Sequence, residues 1–460
     1  MTVQTRQYVT KQLAGDTLTP ISLYSALEGN NKMLFESSAK HEESGRYSFI
    51  AINPVAQLVG TGQSCTFTKG GEATTHNENA ITYLRSIMPA THEHLPFSFF
   101  GGAIGHFAYD TAFYFENIGE SLHDELNMPD VNVFFYDTFI IFDHLHQTVT
   151  LAAIDLFDDK TNEQLQAQVA QMEQHIHSGK AFTEESDAHV QFAPTIEKSR
   201  FIDMVEEAKE HIRNGDIFQV VLSQRFTSDF SGNPFSLYRK LRTSNASPYM
   251  FYMAYDDYTI LGTSPESLIK VKDGFVTTNP IAGTKKRGKT KEEDEQTAKA
   301  LLADEKEIAE HRMLVDLGRN DIGKISEIGS VEVTKYMTIE YYKHVMHIVS
   351  EVTGKLRSEY NAIDALISAL PAGTVSGAPK IRAMQIINEQ EHVKRGVYAG
   401  AVGYISVSGD MDLALAIRTM VVKDGKAHVQ AGAGVVYDSV PESEYEETLN
   451  KAKALLEVRV

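Results

Sequence analysis

Hydrophobic and polar positions change their rhythm once along the chain. Over residues 1–177, short apolar runs rich in β-branched and aromatic residues, such as 131–142 and Thr148–Ile154, alternate with turns and predict strands; the polar stretch 160–177 predicts a helix. Residues 178–194 lose any apolar period and collect Ser, Gly, Thr and acidic residues before Pro194, which predicts a linker between an N-terminal region, 1–177, and a second region, 195–460. Beyond it, Phe201, Val205, Ala208 and Ile212 recur at helical spacing and Asn214-Gly215 supplies a stop, so 196–214 predicts a helix. Strands and helices then alternate to the C-terminus without an internal repeat, the pattern of a mixed α/β or α+β chain.

Four places in the second region invite a chemical reading. Over 413–422 alternation predicts a strand with Ala414, Ala416 and Arg418 on one face. A guanidinium on a strand buried on both faces needs an anion, either a structural carboxylate or a ligand's carboxylate. The run Gln430-Ala431-Gly432-Ala433-Gly434-Val435-Val436 permits close backbone approach, by a ligand or by a neighbouring sheet. Pro371-Ala372-Gly373-Thr374-Val375-Ser376-Gly377-Ala378-Pro379-Lys380 enters a helix and reads either as an anion-binding turn or as an ordinary cap. Finally, Glu307, Glu310, His311 and Leu314 share one face of a predicted helix, and Pro441 opens another with the stripe Tyr445, Leu449, Ala452 and Leu456, off which stands Glu447. Each helix alone reads as a solvated charged face, with oxygen ligation of Mg²⁺ as the alternative.

Composition narrows the classes. The chain has 460 residues, 42% of them hydrophobic, ample for a large core. Its net charge of −19 repels phosphate backbones and argues against nucleic-acid binding, and the cationic run 285–291 reads as a solvated loop. A single Cys, Cys65, makes no internal disulfide, and the polar start lacks the layout of a secretory signal, so a cytoplasmic location is expected. Charges such as Asp137 interrupt every apolar stretch before it reaches membrane-spanning length. There is no Trp, no phosphate-binding GxxxxGK[ST] loop and no GxSxG elbow.

Six ordered motifs carry a resemblance. They are Ile217-Phe218-Gln219-Val220-Val221-Leu222-Ser223, Ser264-Pro265-Glu266-Ser267, Pro280-Ile281-Ala282-Gly283-Thr284, Leu314-Val315-Asp316-Leu317-Gly318-Arg319-Asn320-Asp321, the Pro371 to Lys380 loop and the Gln430 to Val436 run. With them the chain resembles the chorismate-utilising enzymes, and among these the anthranilate synthase component I branch. The resemblance implies an α+β fold in which two antiparallel β-sheets form a central sandwich flanked by helices. It implies a Mg²⁺-dependent oxo-acid lyase that converts chorismate and ammonia to anthranilate and pyruvate at the head of tryptophan synthesis. Gly283, Thr284, Tyr398, Arg418, Gly432, Ala433 and Gly434 would bind chorismate; Glu266, His347 and Thr284 would be catalytic; Glu310 and Glu447 would hold Mg²⁺, with Glu307 a turn away.

The same resemblance separates branches. Water-using relatives carry Lys where Gln219 stands, because water needs a base and ammonia does not; aminodeoxychorismate synthases usually carry a nucleophilic Lys where Ala282 stands. Aminodeoxychorismate synthase component I is therefore the second reading, and a non-catalytic chorismate- or tryptophan-binding regulator a third. The segment Leu34-Phe35-Glu36-Ser37, with Asn245 and Pro248-Tyr249-Met250, resembles the family's site for tryptophan as feedback inhibitor, which would bind at Ser37, Asn245, Pro248, Tyr249 and Met250. No glutaminase signature surrounds Cys65, so a separate glutamine amidotransferase subunit is the expected ammonia source.

Overall fold

The computed structural model describes residues 6–37, 45–91, 97–179, 190–342 and 345–457. Two antiparallel sheets, each of 12 strands among the described residues, make up the frame. The first runs from Tyr8–Ala14 through Thr148–Ile154, Thr138–Asp143, Tyr47–Ala51 and Met33–Glu36 to Tyr249–Ala254, Tyr258–Ser264, Thr419–Lys423, Lys426–Val435 and Gln219–Asp229. The second runs from Ile281–Lys286 through Val345–Lys355, Phe275–Thr278, Ser267–Lys272, Met411–Leu415 and Ala401–Ser406 to Gly102–Phe107, Val131–Tyr136 and the hairpins of 56–76. This is the α+β sandwich the motifs imply.

Neighbouring residues on the first sheet feed different cores. Met33, Ala51, Ile141 and Phe251 join Leu58, Ile104, Phe135 and Leu413 of the second sheet in one cluster between the sheets. Their chain neighbours Leu34, Ile50, Ile140 and Tyr252 pack outward with Leu165 and Val169 of helix Asn162–Ser178 and with Leu237 of helix Pro234–Ser244. A strand side chain points to alternate faces, so a strand buried on both sides is apolar at every position.

Strands from both sides of 178–194 share both sheets: Met33–Glu36 pairs with Tyr249–Ala254, and Gly102–Phe107 with Ala401–Ser406. Within that segment residues 180–189 lie outside the described residues, and Ala193–Pro194 pairs with Gln219–Asp229. Two expected strands prove to be sheet-crossing pairs. Residues 131–142 break at Asp137, whose buried carboxylate is held by Lys160, with Val131–Tyr136 in the second sheet and Thr138–Asp143 in the first. Residues 413–422 break likewise: Met411–Leu415 belongs to the second sheet and Thr419–Lys423 to the first, with Arg418 at φ +48 between them. The left-handed backbone of Arg418 turns the chain from one sheet to the other. Among the described residues no helix is long and apolar enough to cross a membrane.

Candidate active site

The sheet-crossing turn opens into a cavity of about 550 Å³. Its floor is the ladder between Gln219–Asp229 and Lys426–Val435, regular from Val220↔Val435 onward. The small residues there are a packing demand: a Cβ on Gly432 would stand 2.7 Å from the Tyr398 hydroxyl and 2.9 Å from the Leu222 carbonyl oxygen. One wall is strand Ile281–Lys286, whose register against Val345–Lys355 slips between Ala282 and Thr284, with Gly283 at φ +71. That bulge needs glycine twice over, for its left-handed backbone and because a Cβ would sit 3.0 Å from Glu307. Helices Glu305–Gly323 and Pro441–Leu456 supply the acidic walls.

All but one of the residues expected to serve catalysis, chorismate or metal line this cavity: Glu266, Gly283, Thr284, Glu310, His347, Tyr398, Arg418, Gly432, Gly434 and Glu447. Ala433 is fully buried in the same strand and is not among the lining residues, since alternation turns it to the opposite face. Thr374, Glu444 and Lys451 also line the cavity and went unassigned in the sequence. Helical spacing could have found two of them, because Glu444 and Lys451 flank Glu447 at i−3 and i+4.

Glu266, His347 and Arg418 have legible electrostatic states. Burial raises the Glu266 carboxyl to about 7, against the lowering effects of the Thr374 hydrogen bond, Lys451 and Arg418. Thr374 Oγ1 donates to Glu266 Oε1 at 2.7 Å. His347 Nδ1 lies 3.2 Å from the Gly283 carbonyl oxygen and 3.0 Å from Thr284 Oγ1. A carbonyl only accepts, so Nδ1 carries the proton and Nε2 keeps its lone pair; burial lowers the imidazole to about 4 and leaves it neutral. The Arg418 carbonyl accepts from the Thr263 amide at 3.1 Å, but its guanidinium has no hydrogen-bond or ion-pair partner among the described residues; burial lowers its pKa while Glu266 opposes the shift.

Negative charge crowds the acidic walls. Burial first, then Glu310, raises Glu307; burial first, and also Glu447, raises Glu444. Glu310 Oε1 accepts from Gln219 Nε2 at 3.3 Å, the buried Gln219 Oε1 has no partner, and Glu447 pairs with Lys451 at 2.7 Å. Among the described residues no three His, Cys, Asp or Glu groups form a metal cage by themselves. Glu310 and Glu447 line this one cavity as oxygen donors, the ligand type that Mg²⁺ takes together with water and ligand oxygens.

A second cavity, about 110 Å³, lies between the sheets at Ser37, Pro248, Tyr249 and Met250, with Tyr404 and Asp412 opposite. Asn245 is not among its lining residues: its side chain donates to Thr263 Oγ1 at 2.8 Å, which anchors the turn entering Pro248.

The family model for chorismate binding enzymes matches residues 30–457. The chain is 47% identical to anthranilate synthase component 1 of Lactococcus lactis, over 97% of this chain and 99% of that protein, and 45% identical to that of Acetivibrio thermocellus, over 97% and 94%. The chain belongs to the chorismate-binding enzyme family. The crystal structure of anthranilate synthase component I from Streptococcus pneumoniae superposes with a TM-score of 0.84 at 45% identity, covering 96% of this chain and 98% of that one. The menaquinone-specific isochorismate synthase of Escherichia coli shares the fold, with a TM-score of 0.73 at 18% identity over 98% and 95%.

Proposed function

We propose that the chain is an anthranilate synthase component I, aminating chorismate at ring C2 with loss of the C4 hydroxyl and then eliminating pyruvate. The observation that carries this reading is a protonatable Glu266 and a neutral His347 in one cavity with Arg418, where Gln219 and Ala282 replace the lysines of the sister branches. Hydroxide leaves poorly unless protonated, and Glu266 is poised to protonate it. The bare Nε2 of His347 is suited to take the C2 proton in the elimination. Tyr398 and Arg418 orient the substrate, and Gln219, with its unpartnered Oε1, offers an acceptor to an N–H nucleophile instead of a base.

Glu310 and Glu447 would hold Mg²⁺, which supplies positive charge for the ligand carboxylate next to the acidic walls. Purified chain incubated with chorismate, Mg²⁺ and ammonium should yield anthranilate; 4-amino-4-deoxychorismate would favour the second reading, and no product the regulator. Replacing His347 by Asn should slow the elimination about 10²-fold or more and let the amino-dienyl intermediate accumulate on chromatography; anthranilate formed at the normal rate with no intermediate would leave His347 a packing residue.

Ammonia from glutamine would come from a separate amidotransferase subunit. The 110 Å³ cavity is read as an inhibitory tryptophan site, distinct from the active cavity. Because the chain contains no Trp, the fluorescence of added tryptophan reports its own binding. Ser37→Arg should weaken both that binding and inhibition about tenfold or more by filling the cavity; unchanged inhibition would place the site elsewhere.

A further inference from the structure

Glu266 has two sides. Its front faces the active cavity, and its rear lines a separate cavity of about 40 Å³ that also receives Thr374 and Asp321. That volume holds about two or three water molecules. Leu314, Leu317, Ile322 and Ala369 form its apolar walls, and Ser267, Thr278 and Asn279 add polar groups on the strand side.

Asp321 ends the Asp316 to Asp321 motif, for which the active cavity has no use. Its Oδ2 accepts from Lys380 Nζ at 2.6 Å, which unites this motif with the end of the Pro371 to Lys380 loop. Its buried Oδ1 has no hydrogen-bond partner, and the half-exposed Lys324 ammonium stands 3.9 Å away. An unsatisfied carboxylate oxygen beside a cavity of this size calls for water. A chain of exchangeable groups thus leads from solvent at Lys324, past Asp321, to the back of Glu266.

We infer that the rear cavity is a proton conduit, in which a short file of water relays a proton from solvent past Asp321 to the Glu266 carboxylate after each turnover. The inference rests on Glu266 being the acid of the proposed reaction. Substrate filling the front cavity separates that carboxyl from solvent on its working side, so its proton is restored from behind. The balance closes. Glu266 gives one proton to the departing C4 hydroxyl, which leaves as water; the ammonium formed at C2 releases its surplus proton to solvent as product departs through the front; the conduit takes one proton from solvent at the rear and returns it to Glu266, so that no proton is consumed overall.

Asp321 touches no reacting atom in this scheme, and its effect is on recovery. Two variants of the full chain test it by stopped-flow anthranilate fluorescence at pH 7 with Mg²⁺, ammonium and chorismate. Ala369→Leu fills the rear cavity with hydrocarbon, and Asp321→Asn preserves its shape while removing the carboxylate. In each, the first turnover should proceed at the wild-type rate as a burst, followed by a steady state about tenfold slower with an enlarged solvent isotope effect. Should Ala369→Leu fail to fold, the Asp321→Asn burst alone decides. A burst and steady state that fall together, or a steady state that stays unchanged, overturns the conduit. Glu266→Gln separates the two ideas: it should show no burst, and a normal burst there would refute the acid instead.

Discussion

Replacing Glu266 by Gln is expected to lower turnover by about 10²–10⁴-fold while leaving chorismate binding within a small factor of wild type. Gln keeps the side-chain oxygen that accepts from Thr374 Oγ1, so shape and hydrogen bonding persist and only the transferable proton is lost. In the wild-type chain, burial holds the carboxyl at about 7. kcat/KM for chorismate, measured at a fixed concentration of free ammonia, should therefore fall as pH rises through about 7. Dianionic substrate nearby opposes ionisation further, so the limb in kcat should lie at higher pH. A flat profile in kcat/KM, or an active Gln variant, would remove Glu266 from the role of acid.

The same carboxyl marks stability. Its pKa is raised on folding from 4.5 to about 7, so the folded chain binds the proton more tightly than the unfolded one. That contribution is fully present below pH 4.5 and is lost as pH rises to about 7. The Gln variant should accordingly melt with wild type at pH 4.5 and above it at pH 8, by an increment worth up to about 3 kcal/mol. Identical melting at both values would mean that Glu266 is solvated.

Local periodicity gave a faithful account of the helices. The helix read over 196–214 spans Lys198–Arg213, and that over 160–177 spans Asn162–Ser178. The helix of Glu307 and Glu310 begins after Asp304, which caps the amides of Lys306 and Glu307, but runs on to Gly323 through the Asp316 to Asp321 motif. Strands were harder to read, for a physical reason. In this sandwich the central strands are buried on both faces, so alternation fades, and only the single charge inside each apolar run, Asp137 in 131–142 and Arg418 in 413–422, coincides with the place where one sheet hands over to the other.

The site divides in the same way. Residues recognisable by motif, such as Arg418, Glu310 and Gly432, converge on one cavity. Their partners were invisible because they come from far along the chain: Thr374 reaches Glu266 across 108 positions, and Lys380 reaches Asp321 across 59. Ala433 was carried along by its motif although alternation alone turns it away from its glycine neighbours. Asn245 was read as a pocket wall, whereas its amide is spent on Thr263.

Replacing Arg418 by Met should raise the melting temperature of the ligand-free chain and weaken chorismate binding about 10²- to 10³-fold, the loss of a buried charge-assisted pair. Both effects have one origin. The guanidinium is partly buried in the active cavity with no side-chain partner among the described residues, a partly desolvated state that destabilises the free chain and is relieved when an anion arrives. Met keeps the length and apolar stem of the side chain, and it meets the left-handed backbone at φ +48 on the same terms as Arg, so neither packing nor turn strain confounds the comparison. Lys at this position should recover only part of the affinity, because a point charge does not reproduce the two-pronged grip on a carboxylate. Titrating chorismate while following thermal unfolding reads both quantities at once: wild type starts lower and rises with ligand, whereas the Met variant starts higher and stays there. A Met variant that is less stable without ligand would mean that the guanidinium has a partner in the free chain, and one that still rises like wild type would move the carboxylate grip elsewhere.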